Sequence, residues 1–128
     1  MTRYLIGAGG WAYFQVPGII PLVAYSKAFD FVEVNSTFYE IPSLKLVESW
    51  RRLVPQNFEF AVRCNKTLTH EYRFQPTPEA FELLKRMIAI CNTLKAEVLH
   101  LQTPPTFEPT KTNAELIRNF FSSADLKN

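Results

Sequence analysis

The sequence predicts an α/β protein built from four consecutive parallel βα units. Apolar runs of strand length alternate with amphipathic stretches of helical length along the 128 residues, and this alternation is typical of repeated βα units. Two architectures are consistent with this alternation. One is half of a TIM-like (β/α)₈ barrel, since a closed barrel needs about 250 residues, and the other is a small doubly wound sheet with helices on both faces.

The first two units are marked by the residues that end them. Strand one is predicted over Tyr4–Ala8, before two glycines, and a proline-interrupted segment leads to a helix over about Leu22–Phe29. Strand two covers Phe31–Asn35. Its helix begins after Ser43 as the N-cap residue, carries apolar residues at helical spacing and stops before Pro55.

The third and fourth units follow the same pattern. Strand three, Phe58–Asn65, shows strict alternation at its start, and its helix is capped by Thr77 and carries an apolar stripe to about residue 93. Strand four is predicted over Glu97–Gln102, before two prolines, and the last helix over Asn113–Phe121. We expect residues 1–128 to form one domain.

Composition excludes several classes of protein. With 47% hydrophobic and 20% charged residues the chain is globular, and a net charge of +2 does not indicate a nucleic-acid partner. No apolar run approaches the roughly 20 residues of a membrane span, and no signal peptide is recognisable, so a cytoplasmic protein without a membrane partner is predicted. Cys64 and Cys91 are expected to be reduced, packed thiols.

Five segments resemble motifs of one family. Phe31–Pro42 is similar to the strand-two motif of the YecE-like family, which is domain of unknown function 72. Four more segments match in the family's order: Gly7–Tyr13, Phe58–Arg63, Leu68–Glu71 and Gln102–Phe107. The resemblance implies a TIM-like barrel rather than a doubly wound sheet. It implies neither an established reaction nor a cofactor, and the cofactor is left unknown.

The resemblance covers only the first half of the family's barrel. Seven residues follow the last predicted helix, and they contain no fifth strand. Because four strands leave two open edges, we expect the chain to pair with itself as a homodimer, to pair with a separately encoded C-terminal half, or to be part of a longer protein.

Polar side chains at the C-terminal ends of the strands are the candidates for a site, since TIM-type barrels carry their active sites there. Alternation places Glu33 and Asn35 on one face of strand two. It likewise places Arg63 on one face of strand three and Gln102 on one face of strand four, and these faces line one mouth if they point inward. A carboxylate in an apolar strand is costly to bury unless it is paired or used. Glu33 is therefore predicted to be a catalytic base or substrate clamp, or to form an internal ion pair with Arg63.

The two histidines have different expected roles. His70, in the loop after strand three, is predicted to be catalytic as an acid or base, with a structural pair to Glu71 as the alternative. His100 is predicted to be a packed core histidine, because the resembling family usually has an apolar residue there. No metal site is predicted, since Glu33, His70 and His100 are too few ligands to carry one.

The remaining candidates lie just beyond the strands. The aromatic side chains there, Phe38 among them, can form a wall for a flat or sugar-like ligand, or they can simply fill the top of the barrel. The polar side chains can bind substrate groups. The predicted substrate-binding residues are Trp11, Tyr13, Asn35, Ser36, Tyr39, Arg63 and Gln102.

Two functional hypotheses follow. In the first, the half-barrel and its complement form a polar pocket for a small molecule, of the kind that carries sugar or phosphate groups. In the second, the chain is a non-catalytic assembly or interaction module in which the same residues are architectural.

Overall fold

A computed structural model describes residues 1–126, so the last two residues of the predicted domain lie outside the described part. It contains four strands and four α-helices in strict alternation. The strands are β1 (Gly7–Gly9), β2 (Phe31–Val34), β3 (Glu59–Arg63) and β4 (Val98–His100). The helices are α1 (Pro21–Ala28), α2 (Leu44–Leu53), α3 (Pro78–Leu94) and α4 (Lys111–Ser123).

The strands form one parallel sheet in the order β1-β2-β3-β4. One face of this sheet, with Val32 and Val34 on β2 and Phe60 and Val62 on β3, is buried in a single apolar core together with side chains of the helices. Because the strand order follows the chain and one face carries the packed helices, the sheet is wound as in a barrel. The doubly wound alternative is therefore wrong.

Hydroxyl caps explain where three of the helices begin, and two of these caps were predicted. The Ser43 and Thr77 hydroxyls accept hydrogen bonds from the backbone N–H groups of Leu46 and Ala80, at 3.2 Å each, and so start α2 and α3. Helix α4 begins two residues before the predicted Asn113. Its N-cap is Thr110, whose hydroxyl accepts from the Asn113 N–H at 3.1 Å.

Strand β1 is displaced toward the C-terminus from the predicted Tyr4–Ala8. A Cβ atom on Gly7 would lie 1.9 Å from the Phe31 carbonyl oxygen, so the chain pairs with β2 where glycine permits the backbones to approach. The apolar run before it lies beyond the sheet, with Tyr4 at 83% exposure. Strand β4 is also shorter than predicted, since it pairs only with Ala61–Arg63 of β3.

Two polar side chains tie the elements together. The Tyr25 hydroxyl of α1 accepts a hydrogen bond from the Ala8 N–H at 2.6 Å and donates to the Phe31 carbonyl at 2.7 Å, which joins β1 to β2. Arg51 of α2 donates to the carbonyl oxygens of Phe58 and Leu94, at 3.0 and 3.1 Å, and also to that of Pro55. These bonds fix the entry to β3 against the end of α3.

The two cysteines belong to the core. Cys64 and Cys91 are free and buried, which confirms the prediction of packed thiols. Burial raises the pKa of Cys64 to about 12 and that of Cys91 to about 11. No helix within residues 1–126 combines the length and the apolar character that crossing a membrane requires.

Candidate functional site

The face of the sheet opposite the helices carries the predicted polar side chains. Strand register aligns Glu33 of β2 with Ala61 of β3, and Arg63 of β3 with His100 of β4. Because side chains alternate along a strand, these four residues lie on one face, which in a closed barrel is the interior. They stand at or near the C-terminal ends of the strands, where barrel enzymes carry their chemistry.

Glu33 is bonded to His100, not to Arg63 as one alternative for Glu33 predicted. The Glu33 Oε2 atom lies 2.9 Å from His100 Nδ1, and the two side chains are 26% and 43% exposed. An ionised carboxylate can only accept, so Nδ1 carries the proton and donates it. Within residues 1–126 the second nitrogen, Nε2, has no hydrogen-bond partner.

The register explains why this pair forms. Glu33 and His100 belong to strands on either side of β3, and Ala61 is the β3 residue that faces Glu33. Its methyl group leaves room for the carboxylate and the imidazole to meet above it. His100 is consequently half-exposed at the site rather than packed in the core, which corrects the sequence-based expectation.

Arg63 has neutral partners. Its Nη2 atom donates to the Gln102 side-chain oxygen at 2.7 Å, and its guanidinium carbon lies 3.9 Å from the centre of the Phe38 ring. The Nε atom is shielded from solvent and has no hydrogen-bond partner. Among the described residues Arg63 forms no ion pair, and its contacts are the aromatic face of Phe38 and the Gln102 amide.

Phe38 joins the polar row, which comprises Glu33, Arg63, His100 and Gln102, to the loops. Its buried ring lies edge to face with the rings of Tyr39 and His70, with centroids 5.0 and 5.3 Å apart. His70 lies in a π-helical turn, Thr67–Glu71, and its Nδ1 atom is 2.8 Å from the Thr69 hydroxyl. π-helical turns are rare and occur frequently at functional sites. The ring of His70 is therefore held beside Arg63 through a shared neighbour.

Five of the predicted substrate-binding residues line one cleft of about 450 Å³. It opens beside the ends of β1 and β2, and its walls include Trp11, Tyr13, Asn35, Ser36 and Tyr39. The Tyr13 ring is fully exposed, whereas the Trp11 ring packs edge to face on Trp50 of α2 with centroids 5.2 Å apart. The structure therefore brings together the aromatic wall but leaves Glu33, Arg63 and Gln102 outside it.

Asn35 lies between this cleft and the polar row. Its amide nitrogen would be 2.2 Å from a Cβ atom on Gly9, so the side chain occupies space that only glycine leaves open. Its Oδ1 atom is buried without a hydrogen-bond partner. A buried acceptor without a donor is unusual in proteins, because burial removes the water that would otherwise bond to it.

Sequence reasoning undervalued His100, and it offered Phe38 for the aromatic wall without its contact to Arg63. For His100 a signal was present in the sequence, because alternation puts it on the same face of the strand as Gln102. Within residues 1–126 no three histidine, cysteine or carboxylate side chains come together as a metal-binding group.

Comparison with known proteins identifies a family. A family model described as "Protein of unknown function DUF72" matches residues 5–127. The chain is 29% identical over 102 residues to UPF0759 protein YunF of Bacillus subtilis (strain 168), and 30% identical over 98 residues to UPF0759 protein YecE of Escherichia coli (strain K12). Each match covers 76% of this chain but only 36% and 35% of those proteins.

Solved structures show the same fold over half their length. A DUF72 family protein (EF0366) from Enterococcus faecalis V583 superposes with a TM-score of 0.69 at 22% identity, covering 91% of this chain and 47% of the other. A second crystal structure of that protein gives a TM-score of 0.67 and covers 50% of its chain. Those structures are TIM-barrel-like, so the four βα units correspond to half of such a barrel.

Proposed function

The chain belongs to the DUF72 family, and on this basis we propose that it supplies half of a TIM-type barrel whose mouth binds a small polar molecule and transfers a proton on it. The observation that carries the proposal is the Glu33–His100 pair, with 2.9 Å between Oε2 and Nδ1 and with Nε2 uncommitted. A carboxylate that orients an imidazole is the arrangement by which enzymes prepare a general base.

The parts have distinct roles in this proposal. His100 Nε2 takes or returns the proton, and Glu33 holds the ring and its tautomer and stabilises the imidazolium that forms. His70 is a second acid or base at the rim. The residues of the aromatic cleft and the Arg63–Gln102 pair position the ligand beside these groups.

A complement is part of the proposal. The polar row faces away from the helices, and the outer edge of β4 is open, with Val98 54% exposed. We propose that a second set of βα units covers this face, supplied by a second copy, by a separate second-half protein or by more of the same polypeptide. Compartment and further partners do not follow from the fold.

The tautomer of His100 tests the proton-transfer role. In ¹⁵N-detected NMR at a pH where the ring is neutral, His100 is expected to be protonated on Nδ1 in the wild type. In Glu33→Gln the amide can also donate, so we expect a mixture of tautomers. Glu48→Gln, on the exposed side of α2, is the matched control and should leave the spectrum unchanged. An Nε2-protonated wild-type ring would contradict the proposed base.

Ligand binding tests the same site directly. We expect some member of a panel of sugars, polyols and their phosphates to raise the melting temperature of the wild type and not that of His100→Asn. The non-catalytic assembly role is favoured if no compound raises the melting temperature of the protein together with its complement, while Glu33→Gln and His100→Asn melt like the wild type.

Sedimentation of the purified protein tests the complement. Twice the mass of one chain is the expected result for a homodimer, and Val98→Asp at the β4 edge should return it to the mass of one chain. A stable wild-type monomer that binds no second-half protein would contradict pairing between separate chains.

A further inference from the structure

We infer that Arg63 is the binding point for an oxyanion group, a phosphate or a carboxylate, on the ligand of this site. The inference rests on the proposed function for the ligand's presence and adds its chemical class. It comes from the contacts of Arg63, whose partners are neutral and whose buried Nε atom has no acceptor.

The carboxylate of the polar row is already engaged. Glu33 is bonded to His100, and Arg63 forms no ion pair among the described residues. The partners of Arg63 are the neutral Gln102 amide and the face of Phe38. A guanidinium stays charged at all physiological pH values, so the site holds a permanent positive charge that no carboxylate contacts within residues 1–126.

Partial burial makes an unsatisfied donor of Arg63 costly. The Arg63 Nε atom is shielded from solvent and makes no hydrogen bond, so this part of the guanidinium has lost water without gaining an acceptor. An anion bound at the outer edge of the group would give the guanidinium a charged acceptor. Charge-assisted bonds between a guanidinium and an oxyanion are among the strongest that proteins make.

The surroundings restrict the geometry of such a group. Phe38 covers one flat side of the guanidinium and Gln102 accepts from Nη2, which leaves the outer edge with Nη1 for the ligand. His100 is the register neighbour of Arg63 on the next strand. An oxyanion on Arg63 would therefore hold the rest of its molecule beside the uncommitted Nε2 atom. A small molecule with one phosphate or carboxylate group fits this arrangement.

Simple oxyanions are sufficient probes. Phosphate and acetate are titrated into the purified protein at constant ionic strength set with chloride, with calorimetry and the NMR signal of the solvent-shielded Arg63 Nε–H as readouts. We expect saturable binding of at least one oxyanion, weakened about tenfold or more in Arg63→Gln. Arg118→Gln, which removes the same charge from the exposed side of α4, should bind like the wild type. The stronger of the two probes identifies the group.

A second variant separates charge from packing. Gln102→Glu keeps the shape of the side chain that contacts Nη2 and places a carboxylate there, so it should abolish oxyanion binding while the melting temperature is maintained or rises. Absence of binding to the wild type, equal losses in Arg63→Gln and Arg118→Gln, or undiminished binding in Gln102→Glu would each overturn the inference. None of these results alters the His100 tautomer, so the proposed proton transfer fails or stands separately.

Discussion

Removing the Tyr25 hydroxyl tests how the first strand, and the cleft that follows it, is held in place. The oxygen lies between two strands, 2.6 Å from the Ala8 nitrogen and 2.7 Å from the Phe31 carbonyl oxygen, so it replaces a direct ladder bond between them. Burial raises the pKa of the phenol above its ordinary value of 10.0, and the group remains a donor well beyond neutral pH. The residue is 2% exposed, so water does not readily substitute for it.

The magnitude follows from these two bonds. Tyr25→Phe keeps the ring and creates almost no cavity, so the loss is that of two hydrogen bonds to backbone groups, or about 1–3 kcal/mol of the free energy of unfolding. Urea denaturation measures this loss. Because β1 is an edge strand, hydrogen exchange at the Ala8 amide should accelerate more than exchange in β3.

Tyr13→Phe is the matched control for this prediction. It removes the same atom from a fully exposed side chain, and the free energy of unfolding should change by less than about 0.5 kcal/mol. If Tyr25→Phe proves equally neutral and exchange at Ala8 is unchanged, the hydroxyl does not hold β1 to β2 and the reasoning is refuted.

Three further predictions concern the core and the polar row. Burial raises the pKa of Cys64 from the ordinary value of 9.0 to about 12 and that of Cys91 to about 11, so both thiols should resist thiol reagents at pH 8 until the chain unfolds. Above pH 9 the unfolded thiols lose protons that the folded ones keep, so the wild type should lose stability with rising pH more steeply than Cys64→Ala. Arg51→Lys should lower the free energy of unfolding by about 1–3 kcal/mol, measured by urea denaturation, because one ammonium cannot reach all three carbonyl oxygens. Arg52→Lys, on the exposed side of α2, should leave the stability unchanged. Equal effects of the two substitutions would show that the Arg51 hydrogen bonds do not stabilise the fold. Ala61→Leu should separate the carboxylate from the imidazole above it and change the ¹⁵N tautomer signature, and an unchanged spectrum would show that the pair does not depend on this small residue.

The order of elements was predictable because its signals are local. Hydroxyl caps such as Ser43 and Thr77 act on backbone groups three residues away, and the alternation of side chains along a strand assigns faces without knowledge of the partner strand. This short-range alternation also made it possible to predict which face of the sheet carries Glu33 and Arg63. It did not extend to strand ends, since the pairing of Gly7 depends on how closely its backbone approaches Phe31.

The sequence by itself determined the half-barrel, its four alternating units and the side chains that its polar row displays. Only the tertiary structure decided which of them touch, because partners across strands depend on register and on the room left by the residue between them. The small Ala61 side chain lies between Glu33 and His100, which bond to each other across β3. The Arg63 guanidinium instead packs on the ring of Phe38. Such contacts join residues distant along the chain, and no local pattern records their separation in space.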